Sequence, residues 1–177
     1  MAQQPMPGSS TEERFLEPGE EVQLDIKVFA DNSKARKHKR AIGGYTCALT
    51  VVDLATGFKL GYVLKHTAHL ETTLEEIRLE IYAIENRILK VIRLDNQFIT
   101  KPIKLWAMAL DNTIEFKPCI PYEHHSIGDI ERFNRTLEDG IVKFLYGKPH
   151  LNISYWGYAY KDFIMHGVYN LALINKL

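Results

Sequence analysis

The stretch DIERFNRTLEDG, residues 129–140, decides how this chain is read. Ile130, Phe133, Leu137 and Ile141 recur at helical spacing and form an apolar stripe. Glu131 falls off that stripe, in line with Asn134, Arg135 and Glu138. Two readings of that polar face compete. One is a solvated helix surface with a Glu–Arg pair at i,i+4. The other gives Glu131 to a metal ion and its neighbours to phosphate. The rest of the chain has to decide between them.

Upstream, EVQLDIKVFA (21–30) alternates, with Val22, Leu24, Ile26 and Val28 on one side and Gln23, Asp25 and Lys27 on the other, which predicts a strand. A basic segment follows, DNSKARKHKRAIGG. YTCALTVVDLATGFKLGYVLK (45–65) predicts a hairpin turning at DLATG. LETTLEEIRLEIYAIENR predicts an amphipathic helix burying Leu74, Ile77, Ile81 and Ile84. ILKVIRLD (88–95) is an apolar run of the kind buried on both faces of a sheet, ending at Asp95. KPIKLWAMALDN predicts a short helix, TIEFKPCIP a strand, and YEHHSIGD a polar loop leading into the helix of the opening. SYWGYAYKDFIMHGVYNLALI predicts a last, aromatic helix behind a Ser cap. Strands alternating with helices imply an α/β domain with a mixed sheet and helices on both faces. Residues 1–20 read as a tail or linker and residues 21–177 as the domain.

Composition narrows the function classes. The chain has 177 residues, with 22 basic and 22 acidic side chains, so it is not a uniformly basic coat for nucleic acid. Two cysteines, Cys47 and Cys119, are too few for a disulfide framework or a Cys-rich zinc site. The N-terminus lacks the apolar run of a secretory signal, and no segment has the length of a membrane span.

Three carboxylates stand out by position. Asp95 ends a buried strand, where open α/β sheets bind ligands. Asp25 sits inside a strand, against the preference of Asp. Glu131 opens a helix after a polar loop. Taken singly, they read as a cap residue, a solvated strand carboxylate and a surface ion pair. Brought together, they would repel and raise one another's pKa unless cations neutralised them. Mg²⁺ suits such a set of hard oxygens, and two ions suit phosphoryl transfer.

Thirty-five residues separate Asp95 from Glu131. This spacing, with VIRLDN around Asp95 and IPYEHHSIGDIERFNRTLED around Glu131, resembles the DDE catalytic core of retroviral and retrotransposon integrases. The hairpin after the first strand is similar too, and YWGYAYKDFIMHGVYNLALINKL resembles the closing helix of copia-type elements. The resemblance covers residues 21–177. It implies a ribonuclease H-like fold with a mixed five-stranded sheet. It also implies Asp25, Asp95 and Glu131 as catalytic residues holding Mg²⁺ or Mn²⁺ as an ion pair. The activity implied is joining of element DNA ends to target DNA by a 3′-hydroxyl, in a nuclear protein that is at least a dimer. The chain would be the core alone, without the zinc-binding and basic domains that flank it in the family.

Departures from the family pattern fall at Gln97 to Thr100, where Asn96 is not followed by the usual Gly-x-Glu-Phe, and at His124, His125 and Ser126, where paired glutamines are common. They keep a rival reading alive, a decayed or domesticated copy serving as a DNA- or protein-binding module. Candidate DNA contacts are Lys34, Arg36, Lys37, Lys39 and Arg40 of the basic segment, His125 and Ser126 of the loop, and Asn134 and Arg135 beside Glu131. The basic segment also reads as a solvated loop or a localisation signal. Asp53 and Asp111 read as turn residues, and Trp106 and Trp156 as core.

Overall fold

A computed structural model of the chain describes residues 16–29, 40–118 and 127–174, and for residues 85, 127–129 and 167–174 the backbone alone. The elements run β1 (Glu21–Val28), β2 (Cys47–Asp53), β3 (Lys59–Leu64), α1 (Leu70–Glu85), β4 (Val91–Leu94), α2 (Lys101–Ala109), β5 (Glu115–Pro118), α3 (Ile127–Tyr146) and α4 (Trp156–Ile174). The strands form one sheet in the order β3-β2-β1-β4-β5. β1, β2 and β3 pair antiparallel, and β4 and β5 run parallel to β1. This is the mixed five-stranded sheet that the alternation of elements predicts.

The period of two along β1 sorts its side chains between two layers. Val22, Leu24 and Ile26 join Leu49 and Val51 under Leu74, Ile77 and Ile81 of α1 and Ile103 and Ala107 of α2. On the opposite face Ala48 lies among Leu137, Ile141 and Leu145 of α3 and Trp156, Ala159, Tyr160 and Ile164 of α4. Helices therefore cover both faces, and β2 is buried along its whole length. Trp156 is 1% exposed and stacks on Phe29 with ring centroids 4.3 Å apart, pinning the start of α4 to the end of β1. Such a pair contributes about 1 kcal/mol beyond its burial. Cys47 is buried, and Trp106 packs against the first layer, as expected of a core residue. Asp53 closes the β2–β3 turn by accepting from the Ala55 N–H and the Thr56 hydroxyl.

One core assignment differs. Ile84, expected in the buried stripe of α1, is 49% exposed and lines a groove with Tyr62 and Met165. The helix ends just after it, at Asn86 in the left-handed conformation, beyond the reach of the layer that covers Ile77 and Ile81.

At one end of β1 and β4, Arg93 Nε donates to Glu21 Oε1 at 2.5 Å, and Lys90 pairs with Glu20. These contacts reinforce the register Glu21↔Val91, Val22↔Ile92 and Gln23↔Arg93. That register sets the level of the acidic residues at the other end.

Candidate active site

Asp25 shares the α3/α4 face of β1 with Gln23 and Lys27. Directly opposite it on β2 stands Thr50, and opposite Thr50 on β3 stands Gly61. On the other side, continuing the β1–β4 register by two residues brings Asp95 level with Asp25 and on the same face. A paired row Asp25–Thr50–Gly61 thus crosses three strands under the two helices, and Asp95 would extend it just beyond the end of β4.

Asp95 lies one residue past β4 and is exposed. It caps the short 3-10 turn Asn96–Phe98, accepting from the Gln97 backbone N–H and, at its other oxygen, from Gln97 Nε2, both at 3.1 Å. Glu131 is exposed on α3, one turn before Asn134. Its charge is felt at Asp25. Among the described residues, however, no three acidic, imidazole or thiol groups stand close enough together to hold a metal ion. The expected gathering of Asp25, Asp95 and Glu131 around one point is therefore not seen among the described residues.

The electrostatics of Asp25 also differ in cause from the expectation. Its carboxyl is raised above the ordinary 3.8, but burial is the main reason and repulsion by Glu131 the least. The Asn134 amide, the Lys27 ammonium and the Ile26 N–H pull the other way. Lys27 is itself engaged by Glu138 of α3 at 2.5 Å. Asp25 is thus a half-buried carboxylate that Lys27 and two neutral donors leave incompletely compensated, an environment that suits a hard divalent cation. The three carboxylates are hard oxygen donors of the kind Mg²⁺ or Mn²⁺ takes, but among the described residues they are not gathered around one point.

Asn134 was expected at the DNA surface. It is only 9% exposed, and its Nδ2 donates to Asp25 Oδ2 at 2.5 Å. The polar helix face of the opening therefore divides. Glu131 and Arg135 face solvent, while Asn134 turns inward on the stripe of Ile130, Leu137 and Ile141. Behind it, the Thr50 hydroxyl donates to Asn134 Oδ1 at 2.9 Å, and Tyr160 OH lies 3.0 Å from Thr50 Oγ1 and donates to the Leu49 carbonyl at 2.8 Å. Sequence reading named neither Thr50 nor Tyr160. The available signal was a lone hydroxyl within the apolar run CALTVV.

Of the expected DNA contacts, Arg40 and Arg135 are exposed. Lys34, Arg36, Lys37, Lys39, His125 and Ser126 lie outside the described residues.

No protein-family model matches the chain. Over 108 residues it is 32% identical to the Pro-Pol polyprotein of feline foamy virus, a match covering 60% of this chain and 9% of that polyprotein. Among solved structures it resembles a chain of the simian T-cell lymphotropic virus intasome in complex with the PP2A regulatory subunit B56 gamma, with a TM-score of 0.55, 20% identity, and 81% of this chain and 47% of that one covered. It also resembles the HTLV-2 integrase catalytic core domain in complex with magnesium, in a trimeric form, with a TM-score of 0.54, 16% identity, and 84% and 86% covered. The sheet order, the helices on both faces and these matches identify a ribonuclease H-like fold of the integrase-core kind. The chain thus has the fold of the retroviral integrase catalytic cores and resembles a stretch of a retroviral Pro-Pol polyprotein, of whose length it spans about a tenth.

Proposed function

We propose that this domain joins the 3′ ends of element DNA to target DNA. What supports the reading is that Asp25 on β1 and Asp95, one residue past the neighbouring β4, fall level when the β1–β4 register is continued, with Glu131 on the helix packed over that face. In the reaction, a DNA 3′-hydroxyl oxygen forms a bond to the target phosphorus. The bond from that phosphorus to the target's own 3′ oxygen breaks, and that oxygen leaves. With water as nucleophile the same chemistry trims an end. When bound, a Mg²⁺ or Mn²⁺ pair would supply the positive charge that stabilises the attacking and leaving oxygens. Asp25 and Asp95 would hold that charge from the sheet and Glu131 from α3. Asn134 fixes the Asp25 carboxylate. Arg135, exposed close to Glu131 on the same helix, would meet the DNA backbone, together with Arg40 and the basic segment before it.

The element is proposed to be a retrovirus-like or copia-type retrotransposon, and the protein to act in the nucleus as a dimer or higher oligomer. The solved relatives include an intasome and a trimeric form, which supports both DNA and self-association as partners. Two observations favour a second reading: both oxygens of Asp95 accept hydrogen bonds from Gln97, and among the described residues the three carboxylates are not gathered. That is the arrangement expected of a non-catalytic DNA- or protein-binding module. An assay of Mg²⁺- or Mn²⁺-dependent joining of labelled DNA ends, wild type against Glu131→Gln, separates them. Joining that is lost in the variant supports the enzyme. DNA binding without joining in either protein supports the module.

A further inference from the structure

Behind Asp25 lies a buried polar chain that crosses three elements. Asn134 hands its amide N–H to Asp25, and its carbonyl oxygen receives the Thr50 hydroxyl. Thr50 is in contact with Tyr160, whose hydroxyl is anchored on the Leu49 carbonyl. Thr50 is 3% and Tyr160 1% exposed. Buried hydroxyls on this scale cost free energy unless each is satisfied, so their geometry is constrained.

The direction of the chain follows from donor and acceptor chemistry. An ionised carboxylate only accepts, so Asn134 must present its NH₂ to Asp25. A carboxamide with NH₂ on one side presents oxygen on the other, and that oxygen needs a donor. Thr50 is that donor. Were Thr50 unable to donate, the amide could turn and set its oxygen against the Asp25 carboxylate. With the Thr50 proton given to Asn134, the contact with Tyr160 can be bonded only by the Tyr160 proton, shared with the Leu49 carbonyl, and in that way Tyr160 backs Thr50.

The fold makes room for this. Gly61 is the cross-strand partner of Thr50. A Cβ at Gly61 would lie 2.9 Å from the Tyr160 ring and 2.6 Å from Ile164 Cγ1. The missing side chain therefore lets α4 approach β3 closely enough for Tyr160 to reach Thr50.

We infer that Thr50 and Tyr160 are positioning residues, which through Asn134 fix the orientation of the Asp25 carboxylate for divalent-cation binding. The inference rests on the reading of Asp25 as a metal ligand. Thr50 and Tyr160 are buried and act on Asp25 only through Asn134. Groups that orient a ligand from behind typically alter metal affinity by about 10- to 100-fold when removed.

The test uses the 177-residue chain labelled with ¹⁵N, and Mn²⁺ alone as probe. In metal-free wild type, the Asn134 side-chain amide should give two well-separated proton resonances, one shifted downfield by the carboxylate. Thr50→Val keeps the volume and removes the hydroxyl; it should collapse that separation and weaken Mn²⁺ binding by about tenfold. Thr50→Ser restores a hydroxyl and should recover both readouts. Tyr160→Phe should give the same changes in smaller degree. Unaltered Asn134 resonances in Thr50→Val overturn the inference, as does wild-type Mn²⁺ affinity in that variant despite altered resonances. Failure of Thr50→Ser to recover either readout also overturns it, because the effect would then be one of packing. Equal Mn²⁺ binding by wild type and Asp25→Asn marks the different failure, that of the metal-ligand reading itself.

Discussion

The Asn134 carboxamide on α3 and the Asp25 carboxylate on β1 are joined across the layer boundary at 2.5 Å. This contact ties the helix carrying Glu131 to the strand carrying Asp25. Asn134→Ala removes a donor to a charged group and leaves the Thr50 hydroxyl without its acceptor. We expect a loss of about 2 kcal/mol of stability in urea unfolding. Arg135→Ala, at the exposed neighbouring position, should change stability by no more than about 0.5 kcal/mol. Equal losses in the two variants would show that the Asn134 contact adds nothing.

Asp25 gives the metal-free protein a defined pH response. Burial raises its carboxyl above 3.8, so the folded state binds the proton more tightly than the unfolded state. Its contribution is therefore fully favourable below about pH 3.8 and is lost as pH rises through the elevated folded value. Metal-free Asp25→Asn should melt above wild type at pH 7, and the gap should close on acidification. Melting curves across pH in EDTA check this; a gap that widens toward acid would contradict it.

Gly61→Ala should destabilise by about 1–3 kcal/mol through overpacking against Tyr160 and Ile164. Because it displaces Tyr160, it should also disturb the Asn134 amide resonances. Gly44→Ala, where an added Cβ meets nothing within 4 Å but φ is +80°, should destabilise by backbone strain alone and leave those resonances in place.

DNA affinity should depend on local basic residues, since the net formal charge is zero. Replacing Lys34, Arg36, Lys37, Lys39 and Arg40 with Ser should flatten the fall of log K against log salt. Arg135→Ala should reduce that slope by about 0.9, the share of one phosphate contact. Filter binding across a salt series measures both. Slopes identical to wild type would show that neither the basic segment nor Arg135 lies on the DNA path.

Much of the architecture is legible in the sequence because its signals are local. The alternation in EVQLDIKV, the apolar run before Asp95 and the stripe of α3 each report on the element that contains them. The acidic residues are legible as well, because Asp is out of place within and at the end of a strand. Thr50 and Tyr160 are not, since Thr suits a strand and Tyr suits an aromatic helix. Their roles come from partners 84 and 110 residues apart in the chain. Asn134 is an intermediate case. It stands four residues after Ile130 and three before Leu137, so helical geometry alone sets it on the buried stripe. Its polarity masked that position. Ile84 errs in the opposite sense, an apolar residue in register with a stripe whose helix outruns the covering layer.

The central claim is that Asp25, Asp95 and Glu131 together serve one centre for a pair of divalent cations. The most direct measurement is a calorimetric titration of Mn²⁺ into metal-free wild type, Asp95→Asn and Glu131→Gln. We expect saturable binding by wild type, its abolition in Asp95→Asn, and marked weakening in Glu131→Gln as the third ligand is lost. Superimposable isotherms for all three proteins would contradict the account, because the cation would then bind somewhere else on the chain or not at all.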